Sequence, residues 1–270
     1  MPHLFYGHLQ TRGVRINYYR TGDDKPPLIL LHGLGEAALS WGAFPVMLEP
    51  EYDVVLVDAR GHGYSQAPED GYGPDEQAAD VLAVMDELKL ERPALVGHSM
   101  GAVVAAAVAV QAPERVRAVV LEDMPHQAPP NTPEQRAERA ARWEEEILRY
   151  KPLSLDELID LVHQLHPGWH PDEAFQWAKA RQLVSPRAAA FNLAEWMDWD
   201  TTFTSLKVPG LLLTANPERG GLVTPELAER AARLWPQGQV VHFPDAGHNI
   251  HREQFKDFLN TVRRYLRRVP

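Results

Sequence analysis

The sequence predicts an α/β protein with a mostly parallel sheet, helices on both faces of the sheet and a helical cap inserted between two of its strands. Three observations predict this fold. Six short apolar runs end near glycine or aspartate, helical patterns separate them, and one long helical segment breaks the alternation. Continuous apolar strands that alternate with helices are typical of a parallel sheet covered on both faces. The 270 residues suffice for a full hydrophobic core.

The predicted elements follow one another in a regular order. Two stretches of alternating polarity, 4–9 and 14–20, flank a glycine-containing turn and predict an antiparallel hairpin. The six apolar runs then predict parallel strands at 28–31, 54–57, 94–96, 118–121, 211–213 and 240–243. Helices are predicted over 102–111 and, near the C-terminus, over 252–266.

Residues 124–206 form the predicted cap, and residues 1–123 and 207–270 form the predicted core. Helix starts of the capping-box type are predicted at Thr132, with Gln135 three residues on, and at Ser154, with Glu157. Five of the seven tryptophans lie in the cap: Trp143, Trp169, Trp177, Trp196 and Trp199. They either pack this small subdomain or line an apolar substrate cleft.

Composition excludes several classes of function. There are 27 Lys and Arg against 37 Asp and Glu, a net charge of -10, so we expect no nucleic-acid partner. The absence of cysteine excludes thiolate nucleophiles, disulfides and cysteine-ligated zinc or iron–sulfur centres. Residues 1–6 lack the features of a secretory signal, and no apolar stretch reaches the roughly 18 to 20 residues of a membrane helix. We therefore expect a cytoplasmic protein without a membrane partner.

A candidate nucleophile lies between the predicted strand at 94–96 and the predicted helix at 102–111. Residues 97–101 read G-H-S-M-G, which is the pattern G-x-S-x-G. A tight turn from strand to helix forces the central serine into a strained backbone conformation, and the flanking glycines remove side chains that would collide. Ser99 is therefore the predicted nucleophile, close to the positive N-terminal end of a helix.

With this motif and three others, the chain resembles the α/β-hydrolase fold family over nearly its whole length. Residues 31–35 are similar to the H-G-x-G oxyanion loop of the family, residues 58–65 to its D-x-R-G-x-G-x-S turn, and residues 246–248 to its late G-H pair. The resemblance implies an oxyanion hole formed by the backbone amides of Leu34 and Met100. The turn at 58–65 is expected to hold loops together, so His62 is left out of the site.

His248 is the predicted general base. It follows a predicted strand in a glycine-containing turn, precedes the terminal helix, and lies after Ser99 as in this family. Its imidazole can accept the serine proton and return it to the leaving group. His98 is expected to point away from the side of Ser99. The histidines at 163, 166 and 170 are expected at the cap surface, and we expect no metal site, because no clear carboxylate set lies nearby.

The acid that completes the triad has two candidates. The family places this acid after the strand before the cap or after the strand that follows the cap. Asp123 fits the first position and is preferred, whereas Glu218 fits the second in a stretch that departs from the usual G-x-x-D pattern. Either carboxylate could instead cap a turn or a helix.

These residues together predict a serine hydrolase that cleaves a carboxylic ester or lactone through an acyl-enzyme intermediate resolved by water. The expected partner is a small ester-like molecule, and the reaction requires no cofactor. Two alternatives stay open at this point. The same triad serves carbon–carbon bond hydrolases and perhydrolases, and the same fold serves ligand-sensing, receptor-like modules with little turnover.

Overall fold

The structure, a computed structural model, describes residues 4–128 and 131–269. Residues 1–3, 129, 130 and 270 of the predicted core and cap lie outside the described residues. In the described part of the chain, none of the helices combines the length and the apolar character needed to cross a bilayer.

The centre of the molecule is an eight-stranded sheet. Its strands are β1 (Phe5–Thr11), β2 (Val14–Arg20), β3 (Pro27–Leu31), β4 (Asp53–Val57), β5 (Ala94–His98), β6 (Ala118–Glu122), β7 (Gly210–Ala215) and β8 (Gly238–Phe243). The hairpin β1–β2 pairs antiparallel, as does β2 with β4, and every other neighbouring pair is parallel. The predicted fold class is therefore confirmed.

The strand order, β1-β2-β4-β3-β5-β6-β7-β8, reverses direction at β3. After β3 the chain first moves to one side, to form β4, and then crosses to the other side, to form β5. The loops that leave the carboxyl ends of β3 and β5 therefore separate and open a crevice, which is where open α/β sheets bind ligands. The residues that follow these two strands are 32–42 and Ser99.

Helices cover both faces of the sheet and form the segment between β6 and β7. They are α1 (Phe44–Leu48), α2 (Pro74–Glu87), α3 (Met100–Gln111), α4 (Pro133–Tyr150), α5 (Leu155–Leu165), α6 (Pro171–Leu183), α7 (Trp199–Ser205), α8 (Pro225–Leu234), α9 (Ile250–Glu253) and α10 (Phe255–Leu266). The single helix predicted over 252–266 is wrong. Gln254, with φ -131° and ψ 46°, leaves the helical region and divides the segment into α9 and α10.

Two apolar clusters fill the space between the sheet and its helices. In β5, Leu95 contributes to the cluster beneath α2 and α3, whereas Ala94 and Val96 contribute to the cluster beneath α10. This alternation follows from the period-2 geometry of a strand, and it explains why every residue of β5 is apolar up to Gly97.

The segment between β6 and β7 is helical, with a small apolar core of its own. Both predicted capping boxes are present, at Thr132 and at Ser154. Trp169 and Trp177 belong to the core of this segment, whereas Trp199 packs into the main core. The C-terminal end of the predicted cap is therefore anchored on the sheet domain. The boundaries 124–206 stay a prediction.

Replacement of Phe258 by alanine should destabilise the fold strongly. The side chain is fully buried on α10, with its ring centroid 4.9 Å from that of Phe44. Deleting a buried phenyl group leaves a cavity and costs about 3 to 5 kcal/mol of unfolding free energy, which urea denaturation would measure. Phe175→Ala is the matched control, because Phe175 is 40% exposed and its loss should cost about 1 kcal/mol or less. Equal losses would contradict this description of the core.

Candidate active site

Ser99 lies on a sharp turn between β5 and α3. Its backbone, with φ 51° and ψ -116°, occupies a region that non-glycine residues rarely adopt. A Cβ atom on Gly97 would overlap the carbonyl group of Gly101, and a Cβ atom on Gly101 would overlap that of Leu31. Gly97 is therefore required by the close packing within the turn, and Gly101 by the close packing of α3 against the end of β3. The serine side chain is half-buried at the carboxyl edge of the sheet.

His248 is paired with the carboxylate of Asp123. Its Nδ1 atom donates a hydrogen bond of 2.7 Å to Asp123 Oδ2, although 125 positions separate the two residues. Asp123 is fully buried and also accepts hydrogen bonds from the amides of Leu222, at 3.1 and 2.9 Å, and Val223, at 3.3 Å. Because the carboxylate fixes the proton on Nδ1, the Nε2 atom of a neutral imidazole is the basic one.

In the structure, the alternative acid, Glu218, is not the carboxylate paired with His248. It lies on an exposed turn, Pro217–Arg219, and among the described residues its side chain makes no hydrogen bond or ion pair with His248. The loop after β7 instead supplies the two amides that hold Asp123. The loop in which the family sometimes places the acid thus supplies hydrogen-bond donors to Asp123.

In the loop after β3, the amide of Leu34 has no acceptor among the described residues. The amides around it are all bonded: Gly33 to Glu36 Oε2, Gly35 to His62 Nε2, Glu36 to the Gly33 carbonyl, Ala37 to Ser40 Oγ and Ala38 to Asp58 Oδ1. Within the described residues, only Leu34 in this run has an amide without an acceptor. Met100 is the first residue of α3, where amides have no intrahelical acceptor. The two amides predicted for the oxyanion hole are therefore both available.

Buried side chains of the turn at 58–65 hold this loop in place. His62 Nε2 accepts from the amide of Gly35 at 3.1 Å, and its Nδ1 donates to the Arg60 carbonyl at 3.1 Å. Asp58 accepts from the amide of Ala38 at 2.7 Å. Burial, with a smaller effect from a neighbouring histidine, lowers the pKa of His62 from 6.5 to about 3. The ring is therefore neutral, as acceptance of a hydrogen bond from Gly35 requires.

His98 lies directly against His248. Its ring centroid lies 4.7 Å from that of His248, and its Nε2 donates to the His248 carbonyl at 3.1 Å. Its Nδ1 lies 3.2 Å from Glu36 Oε2. Sequence reasoning set His98 aside and missed Glu36, because contacts between residues so far apart leave no local pattern. Only the glycine-rich context of residues 32–36 marked this region.

The buried group formed by His98, Glu122 and His251 has the composition of a metal site, with donor atoms within 4.8 Å of one another. Glu122 already accepts from the amide and the Nδ1 atom of His251, both at 2.8 Å. Burial raises the pKa of Glu122 to about 7 and lowers that of His251 to about 3. A cation would have to displace these hydrogen bonds. Of the three cap histidines, two are exposed and His166 stacks on Trp169 at 4.1 Å.

A cavity of about 530 Å³ lies between α3 and the end of the predicted cap. It includes Met124, which directly follows Asp123, and Val103, one helical turn after Ser99. Its lining is mostly apolar and includes two of the five tryptophans of the predicted cap, Trp196 and Trp199. Such a cavity can take a medium-sized apolar group.

A family model for the alpha/beta hydrolase fold matches residues 26–254. The chain belongs to this family. Over 267 residues it is 28% identical to N-formylmaleamate deformylase of Pseudomonas putida, covering 93% of this chain and 92% of that protein. It is 26% identical over 278 residues to 2-hydroxy-6-oxo-2,4-heptadienoate hydrolase of the same species, covering 94% of this chain and 93% of that protein.

Comparison with a solved structure also shows similarity to an enzyme over nearly the whole chain. The malate-bound structure of a thermophilic esterase from Thermogutta terrifontis matches with a TM-score of 0.77 and 28% identity, covering 97% of this chain and 98% of that one. These relatives are named a deformylase, a hydrolase and an esterase. Together they support a hydrolase function for this alpha/beta hydrolase.

The buried neutral ring of His62 should make stability depend on pH. In the unfolded chain this histidine gains a proton below a pKa of about 6.5, whereas the folded chain binds it only near 3, so stability falls as pH falls through this window. His62→Gln keeps an acceptor for Gly35. Between about pH 7.5 and about pH 5, its unfolding free energy should fall by about 2 kcal/mol less than that of the wild type.

The measurement is urea denaturation at both pH values. The exposed His163→Gln on α5 serves as the control and should retain the wild-type dependence on pH. If the unfolding free energy of His62→Gln falls between the two pH values by as much as that of the wild type, His62 is protonated in the folded protein at about pH 5.

Proposed function

We propose that this protein is a serine hydrolase that cleaves a carboxylic ester or lactone through an acyl-enzyme. One observation carries the proposal: the hydrogen bond between His248 and the buried Asp123, at the sheet edge where Ser99 occupies its strained turn. A nucleophile, a base and an orienting carboxylate at one edge of an α/β-hydrolase sheet are the parts of acyl transfer. The unbonded amide of Leu34 supports it.

In the proposed reaction, His248 Nε2 accepts the proton of Ser99 as the serine oxygen attacks the acyl carbon. The negative charge that develops on the carbonyl oxygen is stabilised by the amides of Leu34 and Met100. The tetrahedral intermediate collapses to the acyl-serine, and His248 returns the proton to the departing alcohol. Water, deprotonated by His248, then attacks the acyl-serine and releases the acid and the free serine. The cavity beside Val103 and Met124 accommodates the apolar part of the substrate.

The first test compares the wild type with Ser99→Ala and His248→Ala on p-nitrophenyl butyrate. Each replacement should lower kcat by at least about a thousandfold, because nucleophile and base act as a unit. A fluorophosphonate probe should label Ser99 in the wild type and leave Ser99→Ala unlabelled. The ligand-sensing alternative replaces the proposed enzymatic function if the wild type neither reacts with the probe nor hydrolyses the ester, while a ligand raises its Tm.

The acid is tested by a matched pair of amide replacements. Asp123→Asn should lower kcat on the order of a thousandfold or more, because asparagine no longer stabilises the imidazolium or the required tautomer of His248. Glu218→Gln should lower kcat less than about threefold, since its side chain is exposed and, among the described residues, makes no hydrogen bond with His248. A large loss in Glu218→Gln, or small losses in both variants, would contradict the assignment.

Carbon–carbon bond hydrolysis is the second candidate function. The similarity over 94% of the chain to 2-hydroxy-6-oxo-2,4-heptadienoate hydrolase favours it. Activity on that dienoate, compared with activity on butyrate esters and on N-formylmaleamate, separates the candidates. A value of kcat/KM at least about a hundredfold greater for the dienoate than for every ester and lactone tested would replace the ester proposal by this one.

A further inference from the structure

One face of the helix α6 lies along the loop that follows β3. Glu173, Trp177 and Arg181 are spaced four residues apart and therefore share a helix face. A Cβ atom on Gly42 would overlap the carboxylate of Glu173, and a Cβ atom on Gly35 would overlap Nη1 of Arg181. The guanidinium of Arg181 thus lies directly against the residue that follows Leu34.

Aromatic rings hold the guanidinium by its face. Its central carbon lies 4.9 Å from the ring centroid of Trp177 and 5.5 Å from that of Tyr150. A guanidinium stacked in this way retains its N–H donors, because they point outward in its plane. The stacking therefore orients the cation without using its hydrogen bonds.

Those hydrogen bonds are unused in the structure. The Arg181 side chain is 8% exposed, and its Nε and Nη1 atoms are buried with no hydrogen-bond partner among the described residues. No carboxylate in the described part of the chain lies within ion-pair distance of it. Burying a cation without a partner is costly, and burial lowers the pKa of Arg181.

A second buried arginine nearby, Arg252, is paired with carboxylates of the chain. Arg252 forms an ion pair of 2.7 Å with Glu36 and another of 3.4 Å with Glu173. Glu36 also accepts from the Gly33 amide. Glu36 and Glu173 are thus paired with Arg252 rather than with Arg181. The charge of Glu146 on α4 also acts to raise the pKa of Arg181, but among the described residues its carboxylate lies beyond ion-pair distance of the guanidinium. Unlike Arg252, Arg181 makes no ion pair with the described residues, so its buried donors remain for a bound group.

We propose that Arg181 binds a carboxylate of the substrate, so that the ester cleaved by this protein is an anion. The inference rests on the proposed function and names its substrate class. A carboxylate matches the planar donor fork of a guanidinium, which can bind it through two parallel hydrogen bonds. Since Gly35 follows the oxyanion amide of Leu34, the carboxylate lies a few atoms from the reacting carbonyl group. The absence of a side chain at residue 35 allows Arg181 to approach the loop.

Two esters of similar length test the inference: monoethyl glutarate, an anion, and ethyl hexanoate, which is neutral. The readout is the ratio of their kcat/KM values, obtained by chromatography of the released acids. Arg181→Gln should lower the ratio, anion over neutral, on the order of 10- to 100-fold, mainly through KM for the anion. Arg181→Lys retains the charge without the fork and should give an intermediate ratio.

Arg149→Gln is the matched control, because Arg149 is an exposed arginine on α4 of the same helical segment. It should preserve the wild-type ratio. If Arg181→Gln lowers kcat/KM for both esters equally, the arginine only packs against Trp177 and Tyr150, and the inference is overturned. If Arg181→Gln does not fold, the ratio in Arg181→Lys decides: an unchanged ratio overturns the inference.

Binding separates this inference from the proposed function. Calorimetry of monoethyl glutarate with Ser99→Ala, and with Ser99→Ala combined with Arg181→Gln, requires no turnover. Binding that the second replacement weakens on the order of tenfold or more supports the carboxylate site, even if no ester is hydrolysed and the proposed function fails. If both variants bind monoethyl glutarate equally and the wild type hydrolyses ethyl hexanoate, the inference is overturned, whereas the proposed serine hydrolase function is retained.

Discussion

The hydrogen bond between His248 Nδ1 and the buried Asp123 is the interaction on which the rest of the site depends. A buried carboxylate is tolerated only when donors surround it, and the amides of Leu222 and Val223 provide two. The third donor, His248, is thereby fixed in orientation and tautomer. The loops after β6, β7 and β8 are thus tied together at one sheet edge, beside the turn that carries Ser99.

Buried polar groups around this pair hold the site in place. His62 holds the loop after β3, His98 holds the backbone of His248, and Glu122 is bonded to His251. Burial lowers the pKa of His62, His98 and His251, which favours their neutral rings. Such a network costs desolvation energy, but it holds the backbone amides of the loop in fixed directions, which electrostatic stabilisation of an oxyanion requires.

The helical segment between β6 and β7 contributes to the site from the opposite side. Helix α6 lies along the loop after β3 through Glu173, Trp177 and Arg181. Among the described residues, Arg252 is paired with the carboxylates of Glu36 and Glu173, whereas Arg181 is stacked on aromatic rings and has no acceptor. This contrast supports the proposal that Arg181 binds an anion beside the loop after β3.

The sequence by itself determined the strands, the order of the motifs and the turn at Ser99, because apolar periodicity and the collision of a Cβ atom at Gly97 with Gly101 act over a few residues. It could not decide between Asp123 and Glu218, since β6 and β7 end at the same sheet edge and either could reach His248. Only the tertiary structure shows the hydrogen bond of Asp123 with His248, the break at Gln254 and, among the described residues, the lack of a partner for Arg181. The first and the last depend on contacts between residues far apart in the chain, which no local pattern encodes.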